Sequence, residues 1–148
     1  MSDYMTRDVN TISKTATLAE AVNMMIAKKT NGLVVTNGGY KIVGILSSWD
    51  IIQYIIPDYL ERDKHLASFE SADLFAERAI QLAKHPVSKF MTKKVVTVRE
   101  DHPLIEAATK LSEFHIRQLP VVDDKQNLVG YINRTDIKRA IGDALKNT

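Results

Sequence analysis

The 148-residue chain contains no cysteine. That excludes disulfides, thiolate nucleophiles, Cys-ligated zinc and thiolate-held iron–sulfur clusters. Long apolar runs are missing too. The longest apolar cluster, Ile51 to Ile56, is broken by Gln53 and followed by Pro57, far short of the ~18 consecutive apolar residues of a membrane span. The opening residues, Met1 to Asp8, show no apolar signal region behind a basic start. With the absent cysteines, this predicts a cytoplasmic protein. No sign of charge dominates: 20 Lys and Arg against 18 Asp and Glu leave +2. That balance excludes nucleic-acid binding driven by bulk charge. Lys89, Lys93, Lys94 and Arg99 form a local basic group and read as a solvated face.

Several chemical signatures are also lacking. A P-loop needs Gly-x4-Gly-Lys-[Ser/Thr] so that consecutive N–H groups surround phosphates, and Gly38-Gly39-Tyr40-Lys41 does not have that spacing. No Gly-x-Gly-x-x-Gly points to a dinucleotide fold. His65, His85, His102 and His115 are scattered, and none forms an i, i+4 metal pair around a glutamate. No serine sits in a nucleophile elbow. The sequence thus offers no catalytic constellation, and neither an enzyme nor a cofactor or metal is expected.

What is present is an internal duplication. Hydrophobic residues make up 45% and charged residues 26%, an ordinary globular balance. Shifted by 86 positions, residues 5–52 align with 91–138 without a gap and with 13 identities, where composition alone gives roughly three. The identities run from Met5/Met91 and Thr6/Thr92 to Gly44/Gly130, Asp50/Asp136 and Ile51/Ile137. Each copy reads in the same order. A short extended piece (Asn10–Ile12; Val95–Val98) precedes a helix whose apolar face is Leu18, Ala21, Val22, Met25 and Ile26, or Leu104, Ala107, Ala108 and Leu111. Thr17 and Glu20 have capping-box spacing, and Pro103 suits a first helical position. Strands over Gly32–Thr36 and Lys41–Leu46 flank the hairpin signal Asn37-Gly38-Gly39-Tyr40, and strands over Leu119–Val122 and Leu128–Ile132 repeat it. A closing helix runs from Ser48 to Ile56 and from Thr135 to Leu145. The expected fold is α/β (α+β): two β-α-β-β-α repeats packed sheet to sheet with pseudo-twofold symmetry, over 1–56 and 87–148. A connector over 57–86 carries a helix at Ser71–Ala83, with Leu74, Ala76, Ala79, Ile80 and Ala83 on its apolar side and Glu77 and Arg78 solvated.

These motifs resemble a tandem pair of CBS domains, a Bateman module, over nearly the whole chain. The resemblance rests on Met5-Thr6 and Met91-Thr92, on His115-Ile116-Arg117-Gln118-Leu119-Pro120-Val121-Val122-Asp123, and on Val43-Gly44…Asp50 and Val129-Gly130…Asp136. The family's ligand motif, Gly-h-x-[Ser/Thr]-x-x-Asp with h apolar, is complete in the first copy as Gly44, Ser47 and Asp50. The second copy places Asn133 where Ser or Thr is expected.

The resemblance implies a stand-alone regulatory module binding an adenosine ligand, AMP, ADP, ATP or S-adenosylmethionine, in the cleft between repeats. Asp50 and Asp136 would accept the ribose hydroxyls. Arg117, Arg134, Lys138 or His115 would meet phosphate. Thr11, Ile12, Leu33 and Val34, with Thr97, Val98, Leu119 and Pro120, would hold adenine, and Ser47, Asn133 and Thr135 complete the two corners. The residues themselves also allow another reading, in which Ser47/Asp50 and Asn133/Asp136 only cap helices. The family likewise implies a homodimer, with Trp49, Ile52, Ile56 and Tyr59 as contributors, and an effector protein as partner. A ligand-free structural dimerisation or adaptor module is the alternative function.

Overall fold

A computed structural model describes residues 1–114 and 116–148 of the chain. His115 lies outside the described residues. The fold is α/β, with two three-stranded sheets of order β1-β2-β3 and β4-β5-β6. It divides into two compact units. One comprises Asn10–Gly38 and Val43–Lys93; the other comprises Met1–Val9, Gly39–Ile42 and Lys94–Thr148. They are called here the repeat-one and repeat-two units, after the sheet each carries.

The repeat-one unit contains β1 (Thr11–Ser13), α1 (Leu18–Lys28), β2 (Gly32–Thr36), most of β3 (Ile42–Ser47) and α2 (Ser48–Ile55). β1 runs parallel to β2, Thr11 opposite Val34 and Ile12 opposite Val35. The Thr17 hydroxyl accepts the Glu20 N–H at 3.2 Å and starts α1. The helix stops where Lys29 turns left-handed, at φ 54°, and the Lys29 and Thr30 N–H groups close on the Ile26 and Met25 carbonyls. The core gathers Ile12, Leu18, Ala21, Met25, Leu33, Val35, Leu46 and Ile51. Ile26, expected on the buried face of α1, is 70% exposed.

The repeat-two unit contains α5 (Leu104–Glu113) and α6 (Arg134–Lys146), with β4 (Val98–Arg99), β5 (Gln118–Val122) and β6 (Leu128–Asn133). Its core holds Val98, Ala107, Leu111, Leu119, Val121 and Ile132. β4 is shorter than the extended piece expected over Val95–Val98, and α6 begins one residue before the expected Thr135. Pro103 takes the cap position instead of the first helical one: its ψ of 151° keeps it extended.

The connector holds more structure than one helix. α3 (Asp58–Arg62) and a 3₁₀ turn over Lys64–Phe69 precede α4 (Leu74–Leu82). Two expectations for α4 are corrected. Ile80 is 74% exposed instead of packed. Arg78 is half-buried and donates to the Ile55 carbonyl at 3.0 Å and the Tyr54 carbonyl at 2.6 Å. It thereby satisfies orphan carbonyls at the end of α2.

Each unit takes its leading segment from the other repeat. The first leader places Thr6 against β6: Thr6 N–H donates to the Tyr131 carbonyl at 2.9 Å, and Tyr131 N–H returns a bond at 2.8 Å. The second leader does the same on β3, through Thr92 and Ile45 at 2.8 and 2.9 Å. Met5 enters one core, and Val87 and Phe90 enter the other. The glycines of the doubled Val-Gly motif make this approach possible. A Cβ on Gly130 would lie 2.7 Å from the Thr6 carbonyl oxygen, and one on Gly44 would lie 2.6 Å from Met91 Sδ and 3.0 Å from the Thr92 carbonyl oxygen.

Two outcomes follow for stability. Gly130→Ala should cost about 1–3 kcal/mol, and Gly44→Ala should cost less, because the atom nearest Gly44 is the end of a flexible methionine. Urea denaturation of both variants checks the order; an equal or reversed order would contradict it. Residues 1–56 expressed alone lack Val87, Phe90 and the Thr92 bridge. That fragment should be unfolded or aggregated by circular dichroism, and a folded monomer would refute the borrowed-segment account.

Candidate functional site

The corner between the last strand and the closing helix is built the same way in both units. Ser47 caps α2: its Oγ accepts the Asp50 N–H at 3.1 Å, and Asp50 Oδ2 accepts the Ser47 N–H at 3.0 Å. Asn133 caps α6: its Oδ1 accepts the Asp136 N–H at 3.0 Å, and Asp136 Oδ2 accepts the Asn133 N–H at 2.9 Å. The departure at Asn133 is therefore neutral for the cap, since an amide oxygen does the work of the hydroxyl. Each cap uses one oxygen of its carboxylate. Asp50 Oδ1 is faced only by the exposed Thr92 hydroxyl, at 3.5 Å, among the described residues. Capping and ligand binding are thus compatible roles for one aspartate.

Register gathers the other expected residues at the same end of each sheet. Ser48 N–H donates to the Asn31 carbonyl at 2.9 Å, joining the start of α2 to the start of β2, and Gln118 stands opposite Asn133. Side-chain direction then separates them. Ile12, Leu33, Val98 and Leu119 point into the cores beneath the helices, so their side chains do not line a site. Thr11 and Val34 share the opposite face of the first sheet. Pro120, next to Leu119 on β5, points away from that core, and Thr97 stands one residue before Val98. Val34 and Pro120 are buried, Thr97 half-buried and Thr11 exposed.

Alternation also decides which backbone groups are free. Val34 N–H donates to the Asn10 carbonyl, and Lys14 N–H to the Thr36 carbonyl. The even-numbered residues of β1 thus face β2, and the Thr11 carbonyl faces the open sheet edge. Its counterpart, the Thr97 carbonyl, accepts Lys110 Nζ at 2.8 Å. Lys110 is in turn held 3.1 Å from Glu106, whose other oxygen meets His102 Nδ1 at 2.5 Å. Lys110 first and His102 second hold the Glu106 carboxyl below its usual range. Asp136 Oδ1 faces the Arg139 guanidinium at 3.5 Å.

Arg117, Arg134 and Thr135 are exposed around the start of α6, with Lys138 one turn along the helix. Their counterparts are the uncharged Asn31, Ser48, Trp49 and Ile52. The sequence reading missed Thr92, Lys110 and Arg139. Comparing copies position by position would have found the last two, because the first copy has Met24 and Gln53 there.

A second concavity in the repeat-one unit is of another kind. A groove of about 650 Å³ runs between α1, α2 and α4, lined by Val22, Ile26, Ile51, Ile52, Ile55 and Phe75 among others. Asn31 and Ser48 at its rim reach the corner, but the apolar floor offers a ribose no partner. No metal-binding group of His, Asp or Glu occurs among the described residues, and none of the described helices is long and apolar enough to cross a membrane.

Comparison with known proteins bears on the fold and the family. The CBS domain family model matches residues 1–57 and 87–143. The CBS-pair protein CBSX2 in complex with AMP superposes with a TM-score of 0.73 at 25% identity, over 96% of this chain and 95% of that one. The CBS domain pair of protein MJ0100, in complex with 5-methylthioadenosine and S-adenosyl-L-methionine, gives 0.66 at 27% identity, over 95% and 97%. A homoserine O-acetyltransferase of Methanohalobium evestigatum is 30% identical over 141 residues, 95% of this chain. The chain spans about a quarter of the length of that and similar curated relatives. Doubled strand-to-helix corners, two three-stranded sheets and a family model matching both repeats lead to one conclusion: the chain belongs to the CBS-domain family.

Proposed function

We propose that the chain is a regulatory binding module, not an enzyme, that senses an adenosine ligand in the cytoplasm and signals to a partner protein. The observation that carries the reading is the second oxygen of Asp50. It is left over by the cap, at the same end of the sheet as the open Thr11 carbonyl. A carboxylate oxygen with free lone pairs accepts from a ribose diol, and a backbone carbonyl at an open edge accepts from the adenine amino group. Relatives at 25–27% identity crystallised with AMP, methylthioadenosine and S-adenosylmethionine support this ligand class. Asp50, Ser47, Thr11 and Val34 form the repeat-one site. Asp136, Asn133, Thr97 and Pro120 stand at the corresponding positions of repeat two, with Arg117, Arg134 and Thr135 around them. Ile12, Leu33, Val98 and Leu119 contribute by fixing the strands.

The same reading includes a symmetric homodimer. Trp49, Ile52, Ile56 and Tyr59 are 66, 49, 38 and 43% exposed. They continue the apolar surface of the groove, where Ile26 and Phe75 are 70 and 69% exposed. A twofold interface needs only one self-complementary patch, and an apolar surface of this extent favours a covering partner.

Two experiments test these readings. Asp50→Asn keeps an oxygen for the cap but replaces one acceptor with a donor. Calorimetric titration with AMP, ADP, ATP and S-adenosylmethionine should show at least a tenfold loss of affinity, while thermal denaturation shifts by less than about 1 kcal/mol. Unchanged affinity would reduce Asp50 to a helix cap. For the dimer, light scattering should give twice the 16.6 kDa chain mass, and Ile52→Glu, which puts a charge in the apolar patch, should return the monomer. A wild-type monomer at micromolar concentration would refute the interface.

A further inference from the structure

The duplication lets every atom at one corner be compared with its counterpart 86 positions away. At repeat one the two acceptors that would read a nucleoside are open. No donor reaches the Thr11 carbonyl among the described residues. Asp50 Oδ1 meets only an exposed hydroxyl at 3.5 Å, which can rotate away. At repeat two the chain's own cations stand on both acceptors. Lys110 donates to the Thr97 carbonyl at 2.8 Å, and Arg139 faces Asp136 Oδ1 at 3.5 Å.

Each cation has a second anchor, although the Arg139 side chain is 56% exposed. Lys110 is braced by Glu106 at 3.1 Å, and its side chain is only 29% exposed. Arg139 also donates to the Tyr4 carbonyl at 2.9 Å, and its guanidinium lies 5.5 Å from the centroid of the Tyr4 ring. Tyr4 belongs to the borrowed leader of the same unit and is itself fixed by a bond from its hydroxyl to Asp143 Oδ2 at 2.9 Å. The corresponding residues of the first copy, Met24 and Gln53, carry no charge.

We propose that the repeat-two site is self-occupied, so that the chain binds one adenosine ligand, at repeat one. The inference rests on the adenosine reading above and adds its stoichiometry and its site. An adenine amino group would have to expel an ammonium from the Thr97 carbonyl. A ribose diol at Asp136 would have to displace a guanidinium, which attracts the carboxylate as a full charge where the neutral Thr92 hydroxyl at Asp50 does not. Lys110 and Arg139 therefore act as built-in competitors, and replacing them by the first copy's residues should open the second site.

Isothermal titration with AMP, ADP, ATP and S-adenosylmethionine in turn tests this on the full chain. Wild type should bind one equivalent of the preferred ligand. Asp50→Asn should lose at least tenfold in affinity, and Asp136→Asn should change it less than twofold. Lys110→Met with Arg139→Gln should bind a second equivalent. Two equivalents in wild type, or a tenfold loss on Asp136→Asn alone, would overturn self-occupation and leave the adenosine reading intact. Binding of none of the four ligands would overturn both. The two aspartate variants decide the matter even if the Lys110/Arg139 variant fails to fold.

Discussion

The close passage of a Met-Thr leader over a glycine is the constraint on which the rest of the structure depends. Each leader is bound to the outer strand by a reciprocal pair of backbone hydrogen bonds, Thr6 with Tyr131 and Thr92 with Ile45. Each bond contributes a net ~1 kcal/mol, and an unmade one in a buried position costs more. The pair forms only because the residue before the bridged strand position has no Cβ: at Gly130 one would stand 2.7 Å from a peptide oxygen. The leader then supplies core residues, Met5 to one unit and Val87 with Phe90 to the other. It also supplies Thr92 beside Asp50 and Tyr4 beneath Arg139. A single packing requirement thus closes the sheet, completes the core and dresses the corner where a ligand would sit.

That corner shows how one residue carries a structural and a chemical duty. An aspartate at the third helical position has two oxygens, and the cap needs one. The cap fixes the side chain's rotamer by a bond in each direction. The remaining oxygen is then held in place before any ligand arrives, so little side-chain entropy is lost on binding. A cap that rigid also explains why Ser47 and Asn133 are interchangeable for the fold, since either supplies an oxygen at the same place.

Much of this was legible in the chain alone. The duplication fixed the element order and pointed to both corners, because Gly44/Gly130 and Asp50/Asp136 survive at a constant offset. The caps were readable from spacing, since capping is a local interaction between residues three apart. Side-chain direction on the short strands was less legible. Ile12, Leu33, Val98 and Leu119 were grouped with Thr11, Val34, Thr97 and Pro120, although neighbours in a strand point to opposite faces. Arg78 looked solvated because its partners, the Tyr54 and Ile55 carbonyls, lie 24 and 23 positions away and are not coded by side-chain type. The borrowed leaders escaped for the same reason: backbone pairing of Thr6 with Tyr131 and of Thr92 with Ile45, far apart in the chain, leaves no periodic trace.

The two copies also show what duplication permits once the fold is secured. The positions needed for folding are kept: the leader, the glycine, the cap and the core-facing strand residues. The positions around the leftover acceptors have drifted, Met24 against Lys110 and Gln53 against Arg139. Both changes add a cation in the second copy, and both cations found an acceptor that the fold leaves free. A free carbonyl at a sheet edge and a spare carboxylate oxygen are hydrogen-bond acceptors without partners, and they remain so until a ligand or a neighbouring side chain supplies a donor. In the second copy the chain supplies its own, which gains hydrogen bonding at the expense of an open site. In the first copy, among the described residues, the Thr11 carbonyl has no donor and Asp50 Oδ1 has only the long Thr92 contact, a local cost in hydrogen bonding that the fold has no need to bear. Retained acceptors of that kind, at the corner where the fold already fixes their positions, are where a binding function is to be sought.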